Sequence, residues 1–462
     1  MRISTRPVSL VIASAVALAV MALPVAASAL PSIPSLNFPS ATGCGCHADL
    51  FEQWSPSMHA QALTDPIYLT KLAEADAATD GEVTPFCLSC HTPVGIMAGE
   101  VTGLDHSVAS GVAAEGTTCT FCHHTTGTNE PVGNASQVVS PEDVRVAQIK
   151  DPQAAHEAAY SEFHETAEFC GACHNVVHPT SGVHLEATYK EWKEGPYSAE
   201  GTVCQDCHMT PGPGVTKPNP GKAASTGPDR DHIYTMTFAG GNVALGDAEK
   251  AEERLKAAAQ LELELPEIVE SGDVAVKATI TNVGAGHYLP TGLTEVRQMW
   301  LEVTATDAEG AELMLERRDF GTVMKDAEGD YPAEMWEAVE VQTDDRIPPR
   351  ESTSSDYSFA MAEGAVTVKA ALYYRSCSEE IAEKAEVDVP TTTMAEITKT
   401  VYSSAEAMES GEQEPIEPGG DAPAADDTST DGLGTTGLLL IAAGVLVVAG
   451  VVFVIVKRRS TK

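Results

Sequence analysis

The chain has 462 residues, with 28 Lys+Arg against 67 Asp+Glu and a formal net charge of −39 at pH 7. That length allows two or three domains, and the acidic balance excludes nucleic acid as a partner, since one polyanion repels another. Aromatic residues reach only 5%, thin for close-packed cores in so long a chain, yet there are 11 Cys and 14 His, so something other than side chains is expected to fill part of the interior.

Arg2 and Arg6 precede an apolar run over 8–25 that ends in Ala27-Ser28-Ala29. A basic start, an apolar middle and a small-residue exit predict a secretory signal peptide over 1–29. Residues 30–245 hold ten of the eleven Cys and thirteen of the fourteen His, with many Gly and Pro and little sustained periodicity, which reads as a loop- and helix-rich domain dense in ligands. Residues 246–260 (DAEKAEERLKAAAQ from Asp247) are strong helix formers and predict a helical connector.

From 261 to 402 the period changes to two. Val274, Val276, Ala278 and Ile280 alternate, as do Met299, Leu301, Val303 and Ala305, and then Val366, Val368, Ala370 and Leu372, which predicts a β-sandwich of immunoglobulin-like type. Residues 403–434 are acidic and rich in Pro, Gly and Ser, with almost nothing to bury, and read as a disordered linker. Residues 437–456 are apolar or small and precede Lys457, Arg458 and Arg459; they read as a single transmembrane helix with a cytoplasmic basic tail over 457–462. The expected fold class is α+β multidomain: a loop/helix-rich multihaem c domain, an immunoglobulin-like β-sandwich, then one C-terminal transmembrane helix. The expected location is the cell membrane, single-pass, with the Cys- and His-rich domain outside the cytoplasm.

The decisive repeat is Cys-x-x-Cys-His, at Cys87, Cys90 and His91, at Cys119, Cys122 and His123, at Cys170, Cys173 and His174, and at Cys204, Cys207 and His208. This spacing is the attachment signal of c-type haem: two thiols add to the porphyrin vinyl groups and the next His turns its imidazole onto the iron. A Cys-x-x-Cys pair alone also suits a zinc knuckle or a redox disulfide, but four copies each followed by His point to haem. A fifth, irregular copy, Cys44-Gly45-Cys46-His47, has one residue between its thiols and is counted as a haem site; a single-thioether arrangement is the alternative there. Successive motifs start too close together for each haem to own a domain, so the porphyrins are expected to pack together and form the core.

The stretches EFHETAEFCGACHNVV, LEATYKEWKEGPYSAEGTVCQDCHM and EGTTCTFCH, with AGHYLPTG at 285–292, resemble multihaem cytochromes c of the cytochrome c554-like superfamily, over about residues 43–400. The resemblance implies a haem-rich domain followed by a β-rich one, and the four regular motifs with the irregular one give five expected haems c. It also implies that His287, the lone His of the sandwich, reaches back to cap a haem, and that His59, His164 and His232 stand at distal-ligand positions. The irregular first motif departs from the family pattern.

Five proximal histidines, His47, His91, His123, His174 and His208, leave nine others. His124 is taken as the remaining distal ligand because adjacent residues point apart, so it could serve a different iron from His123; His106 and His178 are its substitutes. His156 and His184 read as surface residues, Met58 and Met97 as ordinary core or surface methionines, and Cys377 as a lone thiol. Two strong axial ligands leave no open position on an iron, so the expected function is an electron carrier more than a catalyst, passing electrons between a membrane donor and an external acceptor. Its expected partners are redox proteins, basic or quinol-linked. The alternatives are a nitrite reductase or hydroxylamine oxidoreductase-like enzyme with one open-site haem, and a haem-conducting filament subunit in which His287 caps a neighbour's haem.

Overall fold

A computed structural model describes residues 30–411 apart from 108, 110 and 216, and these described residues form one compact unit. The signal peptide of 1–29, most of the acidic linker, and the segments 437–456 and 457–462 lie outside the described residues. Residues 403–411, expected in the linker, include a short helix, Ala405–Gly411.

The first half is built from short helices joined by loops. Helix α1 (Ala48–Trp54) follows the first motif. Helix α2 (Pro66–Ala78) starts where the Asp65 carboxylate accepts from the amides of Ile67 and Tyr68, with Pro at its first position. Helices α3 (Thr84–His91), α4 (Cys119–His124), α5 (Glu168–Gly171), α6 (Thr188–Glu194) and α7 (Gln205–His208) follow. Four of them carry or adjoin a Cys-x-x-Cys-His motif, and a turn of helix is what brings the two thiols and the imidazole to one side. Apolar clusters here are small: one joins Leu63, Leu72, Leu88 and Val101, another Val132, Ala167 and Tyr189.

Helix α8 (Ala248–Ala258) is capped by Asp247 and runs straight into the β region. Besides a small hairpin of Thr322–Lys325 with Glu340–Asp344, seven strands follow: β1 (Ala259–Glu264), β2 (Asp273–Asn282), β3 (Gln298–Thr306), β4 (Glu312–Phe320), β5 (Ser352–Ala360), β6 (Ala365–Arg375) and β7 (Thr392–Tyr402). They make a three-stranded sheet ordered β5-β2-β1 and a four-stranded sheet ordered β4-β3-β6-β7. All neighbours are antiparallel, and Leu301 of β3 lies opposite Leu372 of β6. The period-two positions named from the sequence point inward and form one core with Leu263, Ile347 and Val401.

The expected fold class needs one correction. Among the described residues no helix is long and apolar enough to cross a membrane. The 13-residue α2 spans about 20 Å at 1.5 Å per residue, whereas crossing takes about 20 apolar residues. The described residues therefore form a mixed α and β fold, a helical region followed by a β-rich one, and contain no membrane-crossing helix. The single-pass cell-membrane location derived from the expected C-terminal transmembrane helix is withdrawn with it.

Candidate functional site

The helical region encloses a single connected cavity whose atom-free space is about 6230 Å³, part of it open to solvent. All ten motif cysteines and all five motif histidines line it. The cysteines are unpaired thiols, and among the described residues no group of three or more His, Cys, Asp or Glu is arranged to hold a metal ion by itself. Thiols that are neither disulfides nor zinc ligands, placed around a large shared cavity, suit covalent attachment of a bulky cofactor.

Each motif imidazole is oriented through its Nδ1. His47 donates to the Ala223 carbonyl at 2.6 Å, His91 to that of Ala62 at 2.7 Å, His123 to that of Val146 at 2.9 Å and His208 to that of Ala239 at 2.9 Å. His174 differs, donating to the Glu186 carboxylate at 3.0 Å. All five rings line the cavity, and an imidazole held through one nitrogen in this way is the arrangement that metal-bound histidines generally show.

Four of the five face a second imidazole. Ring centres are 6.3 Å apart for His47 and His156, 6.0 Å for His123 and His164, 6.1 Å for His174 and His59, and 6.2 Å for His208 and His287. With the roughly 2.0–2.1 Å bond that imidazole makes to a first-row metal such as zinc, and about 1.1 Å from nitrogen to ring centre, two imidazoles on one ion stand about 6.2–6.4 Å apart. The spacing therefore fits one iron between each pair. Burial pushes His59 down to about 3, with His174, His208 and His91 acting the same way; burial also takes His164 and His208 to about 4. Such rings keep a lone pair free for a metal at neutral pH.

The fifth motif differs. Among the described residues no imidazole stands opposite His91 at this spacing. The ring against it is Tyr68 of α2, stacked at 3.6 Å and nearly parallel, with its hydroxyl buried and unpartnered.

Local backbone makes these placements possible. Gly116 sits at φ +63, and a Cβ there would come within 2.5 Å of the His59 carbonyl oxygen, so only glycine lets the chain pass the His59 turn. Gly284 passes 2.2 Å, measured from its would-be Cβ, from the Ala257 carbonyl at the end of α8, which lets the loop carrying His287 turn toward His208. That loop is tied to the helical region through Glu191 of α6, a buried carboxylate that accepts from the Tyr288 amide at 3.1 Å and the Thr291 hydroxyl at 2.6 Å and pairs with Arg346.

The sites adjoin one another. Cys173 lies within hydrogen-bonding reach of Cys90, and Cys170 of Cys204. Cys122 is close enough to feel Cys173, as Cys119 is to feel Cys44. The motif of His174 thus sits at a junction, with those of His91 and His208 on two sides and, on a third, that of His123, beyond which lies that of His47.

Two histidines named as ligands from the sequence are placed elsewhere. His124 is fully buried, but its Nδ1 donates to Thr120 one turn back and its Nε2 accepts from Arg145 at 3.1 Å, so both nitrogens are spent. His232 accepts from the Asn219 amide through Nδ1 and packs against Tyr234. Neither lines the cavity. Of the substitutes, His178 lines it but is bonded to the Trp336 carbonyl and to Thr180 and Ser181, and His106 is not among its walls. His156, read as a surface residue, is indeed exposed, and its ring stands opposite His47, a neighbour that sequence reasoning did not foresee. No local signal marks it, because only the folded chain brings residue 156 to residue 47.

Residues 44–124 match the family model described as cytochrome c554 and c-prime. Among solved structures, a penta-heme cytochrome c552 from Thermochromatium tepidum aligns with a TM-score of 0.61 and 23% identity, covering 79% of this chain and 100% of that one. The C-terminal domain of wzt (TM-score 0.17, 6% identity, 32% of this chain and 73% of that one) and the sporulation control protein Spo0M from Bacillus subtilis (0.13, 10%, 31% and 49%) also align, at scores too low to carry an argument. No curated protein matches. The family match over residues 44–124 and the shared fold support the resemblance to multihaem cytochromes c of the cytochrome c554-like superfamily, with haem c as the cofactor that the motifs suit.

Proposed function

We propose that this multihaem cytochrome c is an electron conduit with four irons each held between two histidines: His47 with His156, His123 with His164, His174 with His59, and His208 with His287. The ten motif cysteines, Cys44 and Cys46 included, supply the thioether links, and His91 is the proximal ligand of the fifth haem. One observation carries this reading: four imidazole pairs at a common spacing of 6.0–6.3 Å around one cavity lined by all ten thiols.

Haem c supplies one-electron iron chemistry; what the chain contributes is ligation, spacing and environment. Two imidazoles would hold each of four irons and leave no position for substrate, so these sites would suit electron transfer. Backbone carbonyls on Nδ1 fix the tautomer and ring direction. Neighbouring motifs share walls, so adjacent sites lie close enough for electrons to move between them. His287 meets His208 of its own chain, which makes it a clamp between the two regions. The acidic surface favours a basic redox protein as partner and speeds its encounter at low salt.

The test is haem content by pyridine haemochrome with low-temperature electron paramagnetic resonance of the oxidised protein. Five haems per chain with four low-spin, two-histidine signals are expected. Fewer than four low-spin haems would remove the conduit reading.

One observation favours a second reading, in which the protein also reduces nitrite or oxidises hydroxylamine. His91 alone has no facing imidazole among the described residues, so its iron is the place for an open coordination site. A high-spin signal that changes on adding nitrite or hydroxylamine supports this; five low-spin irons unmoved by either sink it.

A further inference from the structure

Of the five motif histidines, four give their Nδ1 proton to a neutral backbone carbonyl and one gives it to a carboxylate. The exception is built into the chain. Two short strands pair antiparallel with Glu186 opposite Val176, which sets Glu186 across from the segment that leaves His174. The amide of Tyr189 then donates to the His174 carbonyl at 2.9 Å, so both sides of the Glu186 to His174 contact are anchored by backbone. Glu186 also receives the Thr188 hydroxyl at 3.4 Å. Arg297, the cation facing it, is engaged through Nη1 with the Ser376 carbonyl.

A carboxylate on the remote nitrogen draws the proton away and makes the imidazole a more basic ligand than a carbonyl does. A more basic ligand stabilises the oxidised iron, and hydrogen bonding of this kind is one of the levers a protein has on haem potential. We infer that Glu186 gives the haem of His174 and His59 the lowest midpoint potential of the four histidine-paired haems. That haem sits where the sites of His91, His123 and His208 meet, so the structure places its most reluctant acceptor at the crossing. In a partly reduced molecule electrons then rest on the arms and cross the junction only in transit. The inference rests on the ligand pairs proposed above.

Two measurements test it. In the holoprotein, haem-methyl resonances followed by nuclear magnetic resonance through a stepwise reduction give the order in which the haems fill, with His59→Ala identifying the resonances of its own haem. The haem of His174 is expected to fill last among the four; if it fills in any earlier place, the inference is overturned. In Glu186→Gln, which keeps the shape and removes the charge, one midpoint is expected to rise by about a tenfold change in reduction equilibrium, about 59 mV for one electron, while the other three paired haems stay within a third of that. Unchanged midpoints in a variant that retains five haems overturn the role of Glu186. If the variant does not mature, the filling order in the unaltered protein decides alone. Haem count and low-spin signals, read on the same samples, report separately on the ligand pairs.

Discussion

The two regions of this protein solve the same problem, filling an interior, with different material. In the sandwich, strand β2 alternates exposed and buried along most of its length, and its inward residues meet those of the facing sheet in one continuous apolar core. The helical region has only small apolar clusters, and its centre is a cavity walled by thiols and imidazoles. A chain whose middle is designed around a covalently held group has little to bury without it. The β region carries its own core and the helical region borrows one.

The strongest way to break that comparison is to make the protein without haem attachment. The helical region is then expected to lose its tertiary structure while the sandwich persists, as read by hydrogen exchange: rapid exchange across 43–245 and protection along β2, β3 and β6. Equal protection in both regions would falsify the borrowed core. Next comes the reverse experiment, Leu372→Ala. Leu372 is fully buried and crosses Leu301 in the sandwich core, and truncation of such a residue costs about 2–5 kcal/mol. Thermal melting followed in the far ultraviolet should show the sandwich destabilised by that amount while the low-spin haem spectrum at room temperature is unchanged. Loss of haem signal at the same time would mean that the regions do not hold themselves together separately.

Legibility in the sequence follows the same division. The sandwich could be read because a strand's burial pattern is local: Val366, Val368, Ala370 and Leu372 announce an inward face wherever the partner sheet lies. The five attachment motifs could be read because two thiols and an imidazole must be covalent neighbours to grip one porphyrin. The second imidazole of each pair has no such requirement. His164, six residues before Cys170, is set opposite His123 of the preceding motif, and His156 opposite His47, more than a hundred residues away. His124 looked available from its place beside His123, but a buried helical histidine with Thr120 one turn back and Arg145 in reach has its nitrogens satisfied at home. Glu186 was invisible for the same reason: its meaning depends on a strand pairing too short to announce itself. The membrane helix was read from the length of an apolar run and the basic residues after it, over a segment that lies outside the described residues.

Between the two regions lies a seam, and Glu295 sharpens the comparison there. Both of its oxygens are buried and unpartnered. Burial pushes its carboxyl up to about 7, and Glu334 adds to this; Lys71 and the Met335 backbone pull the other way. Unfolded, the same group ionises near 4.3. Between those values the unfolded chain has released a proton that the folded chain keeps, so stability falls as pH rises through that window and is level above about 7. At about 1.36 kcal/mol per pKa unit the whole loss is roughly 4 kcal/mol. Glu295→Gln removes it: the variant should melt with the parent at pH 4 and above it at pH 8. Parallel profiles across that range would show that the carboxylate finds a partner at the seam.

The smallest effect is expected at the most conspicuous contact of the seam. Arg350 holds Glu200 with two bonds of 2.6 and 2.7 Å and lies over the Tyr197 ring, yet the pair is about half exposed on both sides. Exposed ion pairs give up in hydration and side-chain freedom most of what they gain, and salt screens the remainder. Arg350→Gln should therefore lower the melting temperature slightly at low salt and not at all in 1 M salt, with no change in the haem spectrum. The seam is secured elsewhere, by the buried Glu191, whose three partners come from the loop of His287 and from Arg346. If Arg350→Gln instead released His287 from its iron and produced a high-spin signal, the two regions would be joined by surface charge, and the clamp assigned to His287 would have to be carried by Arg350.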